Sequence, residues 1–309
     1  MRAVRIHQYG GTDTLQLDQI DTPVINADDI LINVKAAAIN PVDWKIREGY
    51  LQQFIPYKLP VTLGWDVAGV VTQVGSEVTE FKVGDEVFSR PDIARDGSYA
   101  DYIAVKADEA VLKSSKLDFA QAAALPLAGI TAWQCLVDVS QVQTGQRVLI
   151  HAGAGGVGHL AIQIAKAKGA FVIATASTAN QGLLIELGAD QAVDYTQGAL
   201  IEQVDAVDVV FDTMGGQILA DSWALLKSGG MLVSVVEPPS EEIAKQYAVK
   251  SAFVFIEPSS RILMELNKLV EADQLTPLIE HRFSLEQIEA AHLQSQSGRT
   301  RGKIVIEVN

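Results

Sequence analysis

The chain changes rhythm at about residue 115. Before that point, short β-branched runs alternate with Gly, Pro and Asp: "DILINVKAAAI", "VAGVVTQVG", "GDEVFS" and "YADYIAV". Such runs, bounded by turn residues, predict the strands of a compact, mostly antiparallel β domain. From about residue 118 the pattern alternates between strand and helix: "RVLIHA", "HLAIQIAKAKGA", "FVIATA", "QGLLIELGA", "QAVDY", "VDVVFDT", "ILADSWALLKSGG", "MLVSVV". Strands that are apolar throughout need helices on both faces, so this section predicts a doubly wound parallel sheet of the α/β class. The tail returns to mixed character, with "RILMELNKLVEADQL" and "LEQIEAAHLQSQ" as helices and "GKIVIEV" as a final strand. The predicted organisation is a β domain over 1–117, an α/β domain over 118–254, and a C-terminal segment, 255–309, that rejoins the first domain.

Composition narrows the function classes. A length of 309 residues with 48% apolar and 20% charged residues supports two ordinary hydrophobic cores. A formal charge of -14 repels phosphate backbones and anionic lipid, which argues against nucleic-acid and membrane partners. The N-terminal "MRAVRIHQYGG" carries scattered charge, and no run reaches the roughly 18 apolar residues that span a bilayer. The single cysteine, Cys135, permits neither an internal disulfide nor a multi-cysteine zinc site, and a reducing cytoplasm is the expected location.

The strongest motif lies in residues 147–177, where Gly153, Gly155 and Gly158 satisfy G-x-G-x-x-G after an apolar strand and at the opening of a helix, with Gly156 and Val157 inside the loop. The first glycine permits a tight turn, the second lets a pyrophosphate approach the backbone, and the third allows helix to pack closely on strand. Free N–H groups of the helix start then face the phosphates. Leu160, Ile164 and Ala165 supply the inward stripe of that helix. The motif is that of a Rossmann dinucleotide-binding domain.

Which dinucleotide depends on the end of the second strand, where NAD-binding chains place a carboxylate for the ribose 2'-hydroxyl. "ATASTAN", residues 174–180, has no acid there, and the small hydroxyl-bearing Ser177 and Thr178 tolerate a 2'-phosphate. NADPH is the expected cofactor. No Arg or Lys in this stretch holds a phosphate firmly, so NADH stays open.

Six segments together carry a resemblance: "AAAINPVDWKIREG" (36–49), "LGWDVAGVVTQVGSEVTEFKVGDEVF" (63–88), "GSYADYIAV" (97–105), "AALPLAGITAWQCL" (123–136), "HAGAGGVGHLAIQIAKAKGA" (151–170) and "GRTRGKIVIEV" (298–308). The chain resembles zinc-independent members of the medium-chain dehydrogenase/reductase superfamily, close to the zeta-crystallin-like quinone oxidoreductases and the enone and alkenal reductases. That resemblance implies a GroES-like β domain formed by the N-terminal part and the tail, with a Rossmann domain between them. Zinc-dependent relatives bring a Cys and a His to a catalytic metal from the places that read Asn40 and Trp65 here. An indole cannot ligate zinc and an amide does so poorly, so no metal is expected. His7, His151, His159, His281 and His292 show no paired metal-ligand spacing and read as structural or surface residues.

Without a Lewis acid nothing stabilises an alkoxide, so an isolated carbonyl is a hard substrate. A quinone or a conjugated enone is already activated, because hydride addition spreads the charge onto an oxygen that donors or water can protonate. Asn40 and Tyr50 are the candidate donors, and Trp44 and Trp65 are candidate flat walls for a planar acceptor. Each has a competing role. "NPVD" is also a helix start, with Asn40 at N-cap, Pro41 at N1 and Asp43 at N3. Either tryptophan could instead fill the β-domain core. Tyr50 could line an entrance, and Asp43 and Asp66 suit structural hydrogen bonding.

Further cofactor contacts follow from the resemblance alone: Thr131 beside the nicotinamide and phosphates, Tyr195 near the adenosine ribose or its 2'-phosphate, Thr213 after the fourth Rossmann strand, and Val235 and Phe255 near the carboxamide. "VKSAFVFIEPS", residues 249–259, resembles the sheet-edge strand through which family members form homodimers. The expected activity is NADPH-dependent hydride transfer to a quinone or an α,β-unsaturated carbonyl as small-molecule acceptor. Double-bond reduction of an enone or 2-alkenal, and a low-turnover NADPH-binding protein with a sensing or structural role, stand as alternatives.

Overall fold

The computed structural model describes residues 1–308. The chain divides into two compact units, the first formed by Met1–Ala128, Glu257–Glu271 and Pro277–Asn309, the second by Gly129–Ile256 and Ala272–Thr276. The divisions fall later than the expected 117/118 and 254/255. The helix Phe119–Ala123 stays with the β unit because Ala120, Ala122 and Ala123 are buried on the strands Asp29–Ile39 and Val67–Val74. Residues Ala272–Thr276 go with the second unit, where Gln163 Nε2 donates to the Thr276 carbonyl at 3.1 Å and Thr276 N donates back to Gln163 Oε1 at 2.8 Å.

In the first unit, the eleven-residue strand Asp29–Ile39 is the organising element. It pairs antiparallel with Val67–Val74, Tyr102–Lys106 and Lys303–Glu307. Burial on both faces at every position but Asn33 and Lys35 matches its largely apolar sequence. The sheet continues through Glu86–Ser89 and Ala110–Leu112 on one side and Ile279–Ser284 on the other, and a small three-stranded sheet joins Leu15–Gln19, Arg2–Ile6 and Val61–Thr62. The C-terminal strand Lys303–Glu307 pairs with Asp29–Ile39, and its register, Ile304 opposite Ile39, sets Lys303 level with Asn40. Ile6, Ile32, Leu63, Trp65, Val67 and Tyr99 are fully buried in one core. Each large apolar side chain so buried contributes about 1.5–3 kcal/mol.

The second unit is a six-stranded sheet, parallel at every pairing, in the spatial order Gln191–Asp194, Phe171–Ala176, Arg147–Ile150, Val207–Asp212, Leu226–Ser234, Lys250–Phe253. Strand order reverses between Arg147–Ile150 and Val207–Asp212, which is where doubly wound sheets bind ligands at the carboxyl ends of their strands. The helix Gly158–Ala167 buries Leu160, Ile164 and Ala165 as its spacing predicts. One predicted element is shorter than expected: the helix in "ILADSWALLKSGG" is Gly216–Ser222, a single 3-10 turn follows, and Lys227 to Gly230 belong to the next strand. That strand starts early because Leu226 pairs with Val207. The strand Lys250–Phe253 lies at the sheet edge. Among the described residues no helix is long and apolar enough to cross a membrane.

Candidate active site

The glycine loop of the second unit forms where the strand Arg147–Ile150 gives way to the helix Gly158–Ala167. Ala152 takes a positive φ of 48° to make the turn, and its N–H donates to Thr175 Oγ1 at 3.2 Å while Gly153 N donates to the Thr175 carbonyl at 2.8 Å. Those bonds sew the loop to the neighbouring strand. A Cβ on Gly153 would meet Leu184, Ala174 and Ile162, and one on Gly158 would come within 2.2 Å of the Ala152 carbonyl, so both glycines are required by the protein itself. Gly155 differs. A Cβ there would meet one atom, the Ala152 carbonyl at 3.3 Å, and Gly155, Gly156 and Val157 keep part of their surface exposed. The space in front of Gly155 is what a pyrophosphate needs, so these residues fit a dinucleotide.

Side chains around the loop are already tied down. Ser222 donates its hydroxyl to the Ile218 carbonyl at 2.6 Å, so it must accept from His151 Nε2 at 2.8 Å, which fixes the tautomer of that ring. Burial pushes the His151 pKa down to about 4, keeping the imidazole neutral. Thr213 donates to the His151 carbonyl at 3.1 Å, and Asp212 accepts from Met214 N, Gly215 N and Ser234 Oγ, shaping the turn after the fourth strand. Val235 is half-buried and donates its N–H to the Asp212 carbonyl at 3.3 Å. Thr131 is buried in the helix Pro126–Trp133, while Phe255, two residues past the last sheet strand, is 58% exposed.

At the end of the second strand the structure supplies a carboxylate that "ATASTAN" lacks. Thr178 donates to Asp194 Oδ2 at 2.5 Å, and Asp194 also accepts from Thr196 N and Oγ1. These bonds, Thr178's first, hold Asp194 below the usual carboxylate range. Asn180 Nδ2 donates to Ser177 Oγ at 3.3 Å, and Tyr195 stands exposed beside Asp194. Asp194 comes from the adjacent parallel strand, Ala176 opposite Asp194, so no reading along one strand reveals it.

In the first unit, Asn40 caps the helix Pro41–Arg47, but with its main chain. Asp43 N donates to the Asn40 carbonyl at 3.0 Å and Asp43 Oδ2 accepts from Asn40 N at 2.7 Å. The carboxamide is thereby released for other partners. Asn40 Nδ2 donates to Asp66 Oδ2 at 2.8 Å and loosely to the Ala38 carbonyl at 3.4 Å, while Lys303 Nζ donates to Asn40 Oδ1 at 2.5 Å and to Asp66 Oδ2 at 3.2 Å. Asp66 Oδ1 accepts from Leu127 N at 2.6 Å, at the start of the helix Pro126–Trp133. All three side chains are buried. Asp43 completes the cluster through Tyr99, whose hydroxyl donates to Asp43 Oδ2 at 2.6 Å, and Asp43 Oδ1 is buried with no partner. Burial raises the Asp43 pKa to about 7 against the opposing hydrogen bond from Tyr99. Burial likewise raises Asp66, with the Lys303 charge pulling the other way. Sequence reasoning missed Lys303; its one signal is a charged residue heading the apolar strand "KIVIEV".

Trp65 is not a surface wall. It is 0% exposed in the core, stacked on Tyr57 with centroids 6.0 Å apart, and its Nε1 donates to the Arg95 carbonyl at 3.2 Å. The apolar strands on either side of the turn pull the ring inward, so the core-filling alternative holds. Trp44 remains half-buried, edge-on to Tyr50 at 6.2 Å, with its Nε1 buried and unpartnered. Tyr50 is 63% exposed and its hydroxyl bonds Glu48, which raises the phenol pKa.

Two family profiles match: "Alcohol dehydrogenase GroES-like domain" over residues 26–115 and "Zinc-binding dehydrogenase" over 187–306. The chloroplastic NADPH-dependent alkenal/one oxidoreductase of Arabidopsis thaliana is 38% identical over 99% of this chain and 79% of its own length. The chain belongs to the medium-chain dehydrogenase/reductase superfamily. Within that superfamily, the solved quinone oxidoreductase from Coxiella burnetii superposes with a TM-score of 0.93 at 38% identity, covering 100% of this chain and 99% of that one. The Escherichia coli quinone oxidoreductase complexed with NADPH gives 0.90 at 28% identity over 99% and 100% of the two chains. Among the described residues no three His, Cys, Asp or Glu side chains are grouped to hold a metal ion, and the superfamily's two ligand places hold an internally bonded amide and a buried indole.

Proposed function

We propose that this chain is an NADPH-dependent oxidoreductase that passes a hydride to a quinone or an α,β-unsaturated carbonyl and uses no zinc. The observation that carries the reading is the coexistence of a glycine loop with space in front of Gly155 and a second polar cluster, Asn40, Asp66 and Lys303, that offers hydrogen bonds but no metal donor set. The alkenal/one oxidoreductase and quinone oxidoreductase names of its relatives support it.

NADPH supplies the hydride when bound. Gly153, Gly155, Gly156, Val157 and Gly158 would hold the pyrophosphate, Ser177, Thr178 and Tyr195 the adenosine ribose and its 2'-phosphate, and Thr131, Thr213, Val235 and Phe255 the nicotinamide side. NADH is accepted less well. Asn40 donates an amide N–H to the acceptor oxygen as negative charge builds there, and Trp44 supplies a flat apolar wall. The Tyr50 hydroxyl is already held by Glu48, which leaves the final proton to come from solvent. A homodimer joined through the edge strand Lys250–Phe253, and a cytoplasmic location, complete the proposal.

The test is a comparison of NADPH and NADH binding with NADPH oxidation against a benzoquinone, an acyclic enone and a 2-alkenal. Turnover of at least one class supports the reading, and the relative rates assign it to quinone or double-bond reduction. Tight NADPH binding with no oxidation of any acceptor overturns it in favour of a low-turnover binding role.

A further inference from the structure

We propose that Lys303 is a positioning residue that locks and polarises the Asn40 carboxamide, turning one of its N–H groups into the donor for the acceptor oxygen; this rests on the reading that Asn40 meets the substrate. The three side chains form a closed ring. Lys303 Nζ donates to Asn40 Oδ1 and Asp66 Oδ2, and Asn40 Nδ2 donates to the same Asp66 oxygen. A reversed amide would face its NH2 toward the ammonium and its oxygen toward the carboxylate, two repulsive contacts in place of two attractive ones. The ring thus has one stable orientation, and burial of all three groups keeps water from relaxing it.

The ring also leaves one group underused. Of the two Nδ2 hydrogens, one is held by Asp66 at 2.8 Å, while the other has only the Ala38 carbonyl at 3.4 Å. An ammonium on the carboxamide oxygen draws electron density from the nitrogen, so this loosely held N–H is a stronger donor than an ordinary amide. Its benefit grows as charge develops on the acceptor, which places it in the transition state more than in the bound ground state. Lys303 comes from the C-terminal strand, through the register that sets it level with Asn40, so the last residues of the chain tune a group near its beginning.

The experiment combines Lys303→Gln, Asn40→Ala and the double variant, with NADPH binding and thermal melting followed in each. Lys303→Gln is expected to lower kcat about tenfold with KM changed less than about twofold, as for an interaction made chiefly in the transition state. The double variant should be no slower than Asn40→Ala alone, because Lys303 acts through Asn40. Across a series of substituted acceptors, Lys303→Gln should depend more steeply on electron-withdrawing substituents than the parent enzyme does. The Asn40 side-chain amide resonance, assigned by its loss in Asn40→Ala, should move upfield in Lys303→Gln without cofactor present. If Lys303→Gln does not fold, the charge-balanced Lys303→Gln/Asp66→Asn pair carries the same kinetic and resonance comparison. Unchanged kcat and an unmoved Asn40 resonance, alongside a slow Asn40→Ala, overturn the role of Lys303. Full kcat in Asn40→Ala overturns instead the reading of Asn40 on which the proposal stands.

Discussion

The hydroxyl of Thr178 donates to the carboxylate of Asp194 across neighbouring parallel strands. In the cofactor-free protein that hydrogen is held by Asp194, so Thr178 meets a ribose 2'-phosphate only on turning away from a neighbouring negative charge. Asp194→Asn removes the charge and keeps an acceptor for Thr178. The NADPH-to-NADH ratio of kcat/KM should rise about two- to fivefold, the scale of one screened surface charge, and more at low salt. An unchanged ratio at both salt concentrations would place the 2' site elsewhere.

Gly155 and Gly158 separate binding from folding. A methyl group at Gly158 collides with the Ala152 carbonyl, whereas one at Gly155 meets the protein at 3.3 Å and otherwise projects into the open space where the proposed cofactor would lie. Gly158→Ala should therefore lower the melting temperature. Gly155→Ala should melt like the parent but bind NADPH more weakly, by about five- to 150-fold if overpacking against the pyrophosphate costs about 1–3 kcal/mol. Calorimetric titration beside melting curves distinguishes the two.

Asp43 gives the first unit a pH dependence with a definite sign. Its pKa is raised in the folded state to about 7, against about 3.9 in an unfolded chain. The folded state holds the extra proton, so this contribution is full below about pH 4 and is lost as pH rises through 7. Asp43→Asn keeps an acceptor for Tyr99 and for Asn40 N. Urea midpoints between pH 4 and 8 should fall less steeply in the variant than in the parent. Parallel profiles would show that Asp43 stays ionised.

Trp65 and Trp44 now carry different expectations. Trp65→Ala empties a fully buried site and should cost about 3–5 kcal/mol of stability. Trp44→Ala, at a half-buried site, should change KM for bulky planar acceptors with a smaller loss of stability. Equal stability losses with no effect on KM would remove Trp44 from the substrate wall.

Much of the architecture was legible because it depends on local patterns. Apolar strands alternating with a helix stripe at Leu160, Ile164 and Ala165 fix a parallel sheet, and the glycine spacing marks the candidate dinucleotide loop. What was not legible depends on register between distant segments. Asp194 reaches Thr178 only through strand pairing, and Lys303 reaches Asn40 only because Ile304 pairs with Ile39 from the opposite end of the chain. Trp65 shows the same limit: a turn residue of either fate in the sequence becomes core because Tyr57 and the Arg95 carbonyl are there to receive it. The helix expected across "LKSGG" gave way because pairing with Val207 outweighs helix propensity beside two glycines.

The most direct test of metal-free hydride transfer compares a benzoquinone and a conjugated 2-alkenal with a saturated aldehyde, using NADPH and protein treated with a strong chelator, before and after zinc is added back. Turnover of at least one conjugated acceptor and none of the saturated aldehyde, at the same rate with and without zinc, is the expected result. Reduction of the saturated aldehyde that appears only on adding zinc would contradict it.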